Sequence, residues 1–240
     1  MSLLNDDIPD IDDAEIEKEA MTLLEDFYKR SVAVEDTPIP VELIAEQHLD
    51  YEIDIVRGDL FPHPDLLGGI LFKDRVIQIA SAVEGHEGRY NFTIAHEIGH
   101  HVLHREIYLA KQENNDTSGM CRKMGRKPKA ESQADRFAAA LLMPAILVEK
   151  AVERAGCKKA LSKTKSVYTA HRAAAQVAKE GSFFNVSNTA IMNRLIHLQF
   201  ITDVPYQSTP TNSNFRRIKG RLSYAGHLLK NFLTKCVRRK

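Results

Sequence analysis

The sequence predicts a helix-rich α+β fold. Apolar residues recur at helical spacing along most of the chain, short extended segments are confined to residues 51–80, and the stretch "FTIAHEIGHH" (92–101) places two histidines four apart inside a helical run. The 240 residues are 43% hydrophobic and 27% charged, which suits one sizeable core with appendages.

The elements follow in order. In "AEIEKEAMTLLEDFYKRSVAV" (14–34), Ile16, Ala20, Leu23, Leu24 and Phe27 share one helical face, and "EDTPIP" then breaks the helix. "PVELIAEQH" opens with Pro40, which a first helical turn tolerates, and reads as a second helix. "YEIDIV" alternates as a strand, "FPHPD" is a loop, and "GGILF" and "RVIQIA" are two strands joined by a tight turn at Lys73 and Asp74. Gly85 and Gly88 punctuate a loop before the histidine helix. After it, "KQENNDTSGMCRKMGRKPK" reads as a long polar loop, and "AESQADRFAAALLM" resumes a helix that Pro144 ends. Two or three further helices reach "NTAIMNRLIHLQFI", and "PYQSTPTNSN" links them to the end of the chain. The expected organisation is an acidic leader and amphipathic helix over 1–36, a domain over 37–202, and a linker with a basic tail over 203–240, with no internal repeat.

Charge and cysteine content narrow the classes. The formal net charge is only +1, yet ten acids and one base lie between Asp6 and Asp26, whereas nine Lys or Arg and no acid lie between Phe215 and Lys240. These ends read as solvated extensions; the basic one could add salt-sensitive phosphate binding or pair with the acidic one. The acidic start does not resemble a secretory signal, no apolar run is long enough to span a bilayer, and Cys121, Cys157 and Cys236 are too few and too scattered for a disulfide framework. A cytoplasmic location is expected.

The chemistry concentrates on the histidine helix. Four residues give a rise of about 6 Å and a rotation of about 40°, so His96 and His100 project from one side and can close on one cation. Glu97 stands at the edge of that face, placed to reach a water rather than to ligate. Ile94, Ile98 and Val102 form the stripe that buries the opposite side. Gly99 costs about 1 kcal/mol relative to alanine in a helix interior, which calls for another segment in close approach. A catalytic zinc takes a third protein ligand and keeps one open position. His104 lies about 12 Å beyond His96 along the helix, and His101 points about 100° away, so both read as packing or surface residues. The better third ligand is Glu131, one turn from Asp135, which could bond the distal nitrogen of a liganding histidine. Ala134 and Ala138 beside them would let another helix come close. The same acids could instead form an exposed face balanced by Lys129 and Arg136.

"IPVELIAEQ", "GGILF", "YNFTIAHEIGHHVLH" and "ESQADRFAAALLMP" resemble, in this order, the domain of the ImmA/IrrE family of metallopeptidases, over about Pro38 to Ile201. The resemblance implies a small gluzincin-like fold with a short curved sheet packed on the H-E-x-x-H helix, followed by a helical subdomain. It implies one Zn²⁺ per chain on His96, His100 and Glu131, with Glu97 as general base. Asp135 stands where many members of the family have asparagine; either accepts a hydrogen bond from imidazole. The leader, the insert at Met120 to Lys129 and the tail beyond Thr202 have no counterpart in that pattern. Tyr90, His86 and Tyr108 are near enough in sequence to be weighed as transition-state donors. Zinc is the first choice by ligand type, although manganese or cobalt also suit two histidines and a glutamate.

By resemblance the protein is a regulator: a site-specific endopeptidase that cleaves a helix-turn-helix repressor and so derepresses genes. One alternative is a DNA-binding regulator using the helix-turn-helix-like segment at about 170–201, with Ser187 as N-cap, Asn188, Thr189, Met192 and Asn193 on the second helix, and Arg194 as its only cation. Another is a zinc-bound interaction module of the toxin–antitoxin type, which would not require Glu97. The oligomeric state is not legible.

Overall fold

The computed structural model of the chain describes residues 8–57, 67–113, 129–162 and 164–204. These residues all fall within one compact unit, Met1–Thr209. Helix α1, Asp13–Tyr28, starts where the Asp12 carboxylate accepts the Glu15 N–H at 2.8 Å and ends at Lys29 in the left-handed region. Its predicted face is buried: Ile16, Ala20, Leu23 and Leu24 belong to the main core. The expected second helix is a single α-turn, α2 (Val41–Leu43), that widens into a π-helical turn over Ile44–His48.

Among the described residues, three strands form one sheet in the order β1-β3-β2, with β1 Glu52–Val56, β2 Gly68–Leu71 and β3 Val76–Ala80. The predicted hairpin is present, pairing Gly68 with Ile79 and Leu71 with Val76 antiparallel, whereas β1 runs parallel to β3. Ile70, Ile77 and Ile79 point into the core while Leu71 is exposed, the period-two alternation of a sheet covered on one face. Among the described residues β2 is an edge strand.

Helix α3, Glu87–Glu113, carries the histidines, and α4, Lys129–Leu142, packs across it. Two sequence expectations need correction here. Gly88 lies inside α3 rather than in a loop. A Cβ there would stand 2.6 Å from the Ser187 amide nitrogen, so this glycine serves close contact with the chain entering a later helix. The expected long loop also begins later, because α3 continues to Glu113; its residues 114–128 lie outside those described. Pro144 ends α4 and caps α5, Ala145–Arg154, which is followed by the short α6, Lys158–Leu161. Helices α7, Val167–Glu180, and α8, Asn188–His197, close the described chain, with Ser187 capping α8 as expected.

The acidic N-terminal segment is bonded to basic residues of the later helices. Asp10 pairs with Lys129 at 2.9 Å, Asp13 with Arg136 at 2.6 Å and with His197 at 2.9 Å, and Glu17 bidentately with Arg194. Helix α1 thereby packs on α4 in the same core as the domain, although the sequence division at residue 36 had set it apart. The helix α8 face required by the DNA-reading alternative is only partly open: Asn188 is exposed and bonded to the His171 carbonyl, and Thr189 is half-buried. Met192, Asn193 and Arg194 are all buried, and Arg194 donates through Nε to the Met143 carbonyl at 3.0 Å, so its charge is used inside the protein. The basic tail lies outside the described residues. Among those described, no helix is long and apolar enough to cross a membrane.

Candidate metal centre

The centre is built where α4 crosses α3. Ile94 and Ile98 are fully buried behind α3, which turns the histidine side toward α4. At the crossing, a Cβ on Gly99 would stand 3.2 Å from the Cα and carbonyl oxygen of Ala134 and from the Phe137 Cβ. The small residues predicted at Gly99 and Ala134 are thus what lets the helices touch. Gly99→Val is expected to push them apart, destabilising the fold by about 2 kcal/mol and weakening metal binding because α4 carries the third donor. Urea melts and a zinc titration check both effects; an unchanged zinc affinity would separate the crossing from the site.

Glu131, one turn before Ala134 along α4, reaches over this contact. Its Oε2 lies 3.5 Å from His96 Nε2 and its Oε1 3.3 Å from His100 Nε2, while the two Nε2 atoms are 3.0 Å apart. Burial opposes charge on Glu131, but the neighbouring His96 and His100 outweigh it, so the carboxyl stays ionised far below its usual range. Burial also pushes the His100 imidazole down to about 3, so this ring is neutral at physiological pH, as a ligand must be.

These three donors fit a metal ion. Donors held 2.0–2.1 Å from a tetrahedral zinc stand about 3.3 Å from one another, and the observed separations bracket that figure. His96 is oriented from behind, since its Nδ1 is 2.9 Å from the Asp135 carboxylate. A carboxylate only accepts, so Nδ1 carries the proton and the Nε2 lone pair faces the other donors.

Glu97 is 4% exposed and does not belong to the converging trio. Its carboxylate lies against edge strand β2: a Cβ on Gly68 would be 3.1 Å from Glu97 Oε1 and only 2.5 Å from Thr93 Cγ2. Glycine at position 68 is what admits the strand so near.

The three residues weighed as donors are not equivalent. The Tyr90 hydroxyl donates to Glu42 at 2.8 Å and is committed there. His86 is exposed and uses its backbone carbonyl to accept from Arg89 and Tyr90 at the start of α3. Tyr108 is the one at the centre, its ring edge-on to His100 with 6.4 Å between centroids and stacked on Phe72. Burial raises its pKa, and the charges of Glu131 and Glu97 add to the effect, so it stays a protonated donor.

Sequence reasoning underrated two residues. His104 is 1% exposed, with Nδ1 3.1 Å from His100 Nδ1 and Nε2 2.9 Å from Gln133 Oε1, and burial lowers its pKa. The signal was present in the spacing, because His96, His100 and His104 succeed one another at four-residue steps on one face. Gln133 offered no such signal. His101 does turn away, its Nδ1 2.9 Å from the Tyr51 hydroxyl.

The fold and this cluster together define a helix-rich α+β domain of the zincin kind, with a buried two-histidine, one-glutamate centre able to hold a metal ion. The model of the IrrE N-terminal-like domain, Peptidase_M78, matches residues 56–195, and the chain belongs to this metallopeptidase family. A comparison with curated proteins finds no match.

Proposed function

We propose that the protein is a zinc-dependent, site-specific endopeptidase whose substrate is a helix-turn-helix transcriptional repressor, cleaved so that the genes it silences are expressed. The observation that carries the peptidase part is the position of Glu97. A buried carboxylate that follows a metal donor on the same helix, yet stands outside the donor trio, has no use in a site that only holds an ion or a partner.

His96, His100 and Glu131 would hold the zinc. When bound, the ion supplies Lewis-acid polarisation of the scissile carbonyl and acidifies the attacking water toward a pKa of about 7. Glu97 takes the proton from that water and returns it to the leaving amine. Tyr108, whose ring stands edge-on to His100, would donate to the oxygen on which charge develops. The edge of β2, which pairs with no further strand among the described residues and lies next to Glu97, suits an extended substrate segment adding as a further strand. Main-chain pairing of this kind selects little by sequence, so selectivity would come from docking a folded partner. The repressor as partner rests on the resemblance of the motifs to a family of regulators.

The test is mass-spectrometric mapping of new protein N-termini in cells expressing the wild type or Glu97→Gln at equal levels. One new terminus that depends on Glu97 and lies in a DNA-binding repressor is the expected result. A set of unrelated termini would replace the regulator with a general peptidase, and none at all, under the stresses that induce the gene, would favour a non-cutting interaction module.

A further inference from the structure

The metal reading above leaves open what orients the second histidine, because His100 has no carboxylate behind it comparable to Asp135. Its Nδ1 faces another histidine. Two imidazole nitrogens of one kind, 3.1 Å apart, form a hydrogen bond only if one is protonated and the other is not. Which one is which decides whether Nε2 of His100 can bind a metal.

The answer is set by Gln133 and Pro9, which meet although they lie 124 positions apart. Gln133 Nε2 donates to the backbone carbonyl of Pro9 at 2.8 Å. A carbonyl cannot donate, so the amide group of Gln133 must point this way, and its Oε1 must then accept from His104 Nε2 at 2.9 Å. A neutral ring carries one proton, so with Nε2–H protonated the His104 Nδ1 is an acceptor. His100 Nδ1 must therefore donate, and His100 Nε2 presents its lone pair to Glu131 and His96. Pro9 is held in place by its neighbours: Lys129 donates to the Ile8 carbonyl at 3.1 Å and pairs with Asp10, and the Ile8 side chain is 3% exposed.

We propose that His104 and Gln133, anchored on the Pro9 carbonyl, are positioning residues for the metal, a hydrogen-bonded chain that holds His100 in the one tautomer able to ligate. The proposal rests on the metal-centre reading. It also gives the N-terminal segment, which lies outside the family-matched span, a part in the site.

Gln133→Leu and His104→Phe each break the chain without replacing a donor of the trio. Each is expected to weaken zinc binding 10- to 100-fold in chelator-competition titrations, with the metal-free thermal melt and far-ultraviolet circular dichroism confirming a folded chain. His101→Phe, on the same helix but bonded to Tyr51, serves as the control and should bind zinc like the wild type. Long-range ¹H–¹⁵N correlation spectra of the histidines in the zinc-loaded wild type read the tautomers without any substitution: His104 protonated on Nε2, His100 protonated on Nδ1 and coordinated through Nε2. Wild-type zinc affinity in both variants, or a His104 proton found on Nδ1, overturns the proposal while leaving the metal centre intact. A wild type that binds no zinc overturns the metal-centre reading, and the proposal with it.

Discussion

Glu97→Gln is expected to bind zinc as tightly as the wild type and to cleave slower by a factor of about 10² to 10⁴. The amide is nearly isosteric with the carboxylate, so it fills the same space against Gly68 and Thr93 without disturbing β2. What it loses is the capacity to accept a proton. The three donors that would hold the ion do not include Glu97, so affinity should be insensitive to the change. Zinc affinity by chelator competition and cleavage of the protein found by N-terminal mapping measure the two halves separately. Loss of zinc would make Glu97 a ligand, and wild-type cleavage would place the base elsewhere.

The largest effect on stability is expected at Arg194. This guanidinium is 1% exposed, bonded to both carboxylate oxygens of Glu17 and to the Met143 carbonyl. Glu17→Ala leaves a buried, uncompensated cation, and the loss should be about 3 kcal/mol, toward the lower end for a buried pair because the Glu17 side chain keeps 26% of its exposure. Arg194→Met should cost less, since it leaves a partly exposed carboxylate that water can reach. Combining Glu17→Leu with Arg194→Met should recover much of the loss, as apolar side chains of similar volume tolerate the same space. Urea melts of Glu17→Leu, Arg194→Met and the double variant give the coupling. Strictly additive losses would mean that the pair does not tie α1 to α8.

That pair also illustrates why the DNA-reading alternative could be framed from sequence and yet does not suit α8. Ser187 does cap the helix, as its residue type requires. The polar and cationic residues after it read as a recognition face only while nothing is known of α1. In the folded chain Asn193 and Arg194 are interior residues, and Arg194 is met there by Glu17 of α1. Burial of a charge is decided by the partner that arrives, and Glu17 arrives from 177 positions away.

The same division holds across the protein. Whatever depends on geometry within one element was legible in the sequence: the shared face of His96 and His100, the stripe of Ile94 and Ile98, the common side of Glu131 and Asp135, and the alternation of the β2–β3 hairpin. Even the close approach at Gly99 could be inferred, because glycine in a helix interior is costly without a neighbour to justify it. The tertiary structure alone decided that Ala134 is that neighbour, that Glu131 comes within 3.5 Å of both histidines, and that His104 and Gln133 link His100 to Pro9. Periodicity follows from the covalent backbone and is local, whereas these contacts join residues up to 124 positions apart, and only the packing of whole helices into one core selects which of them meet.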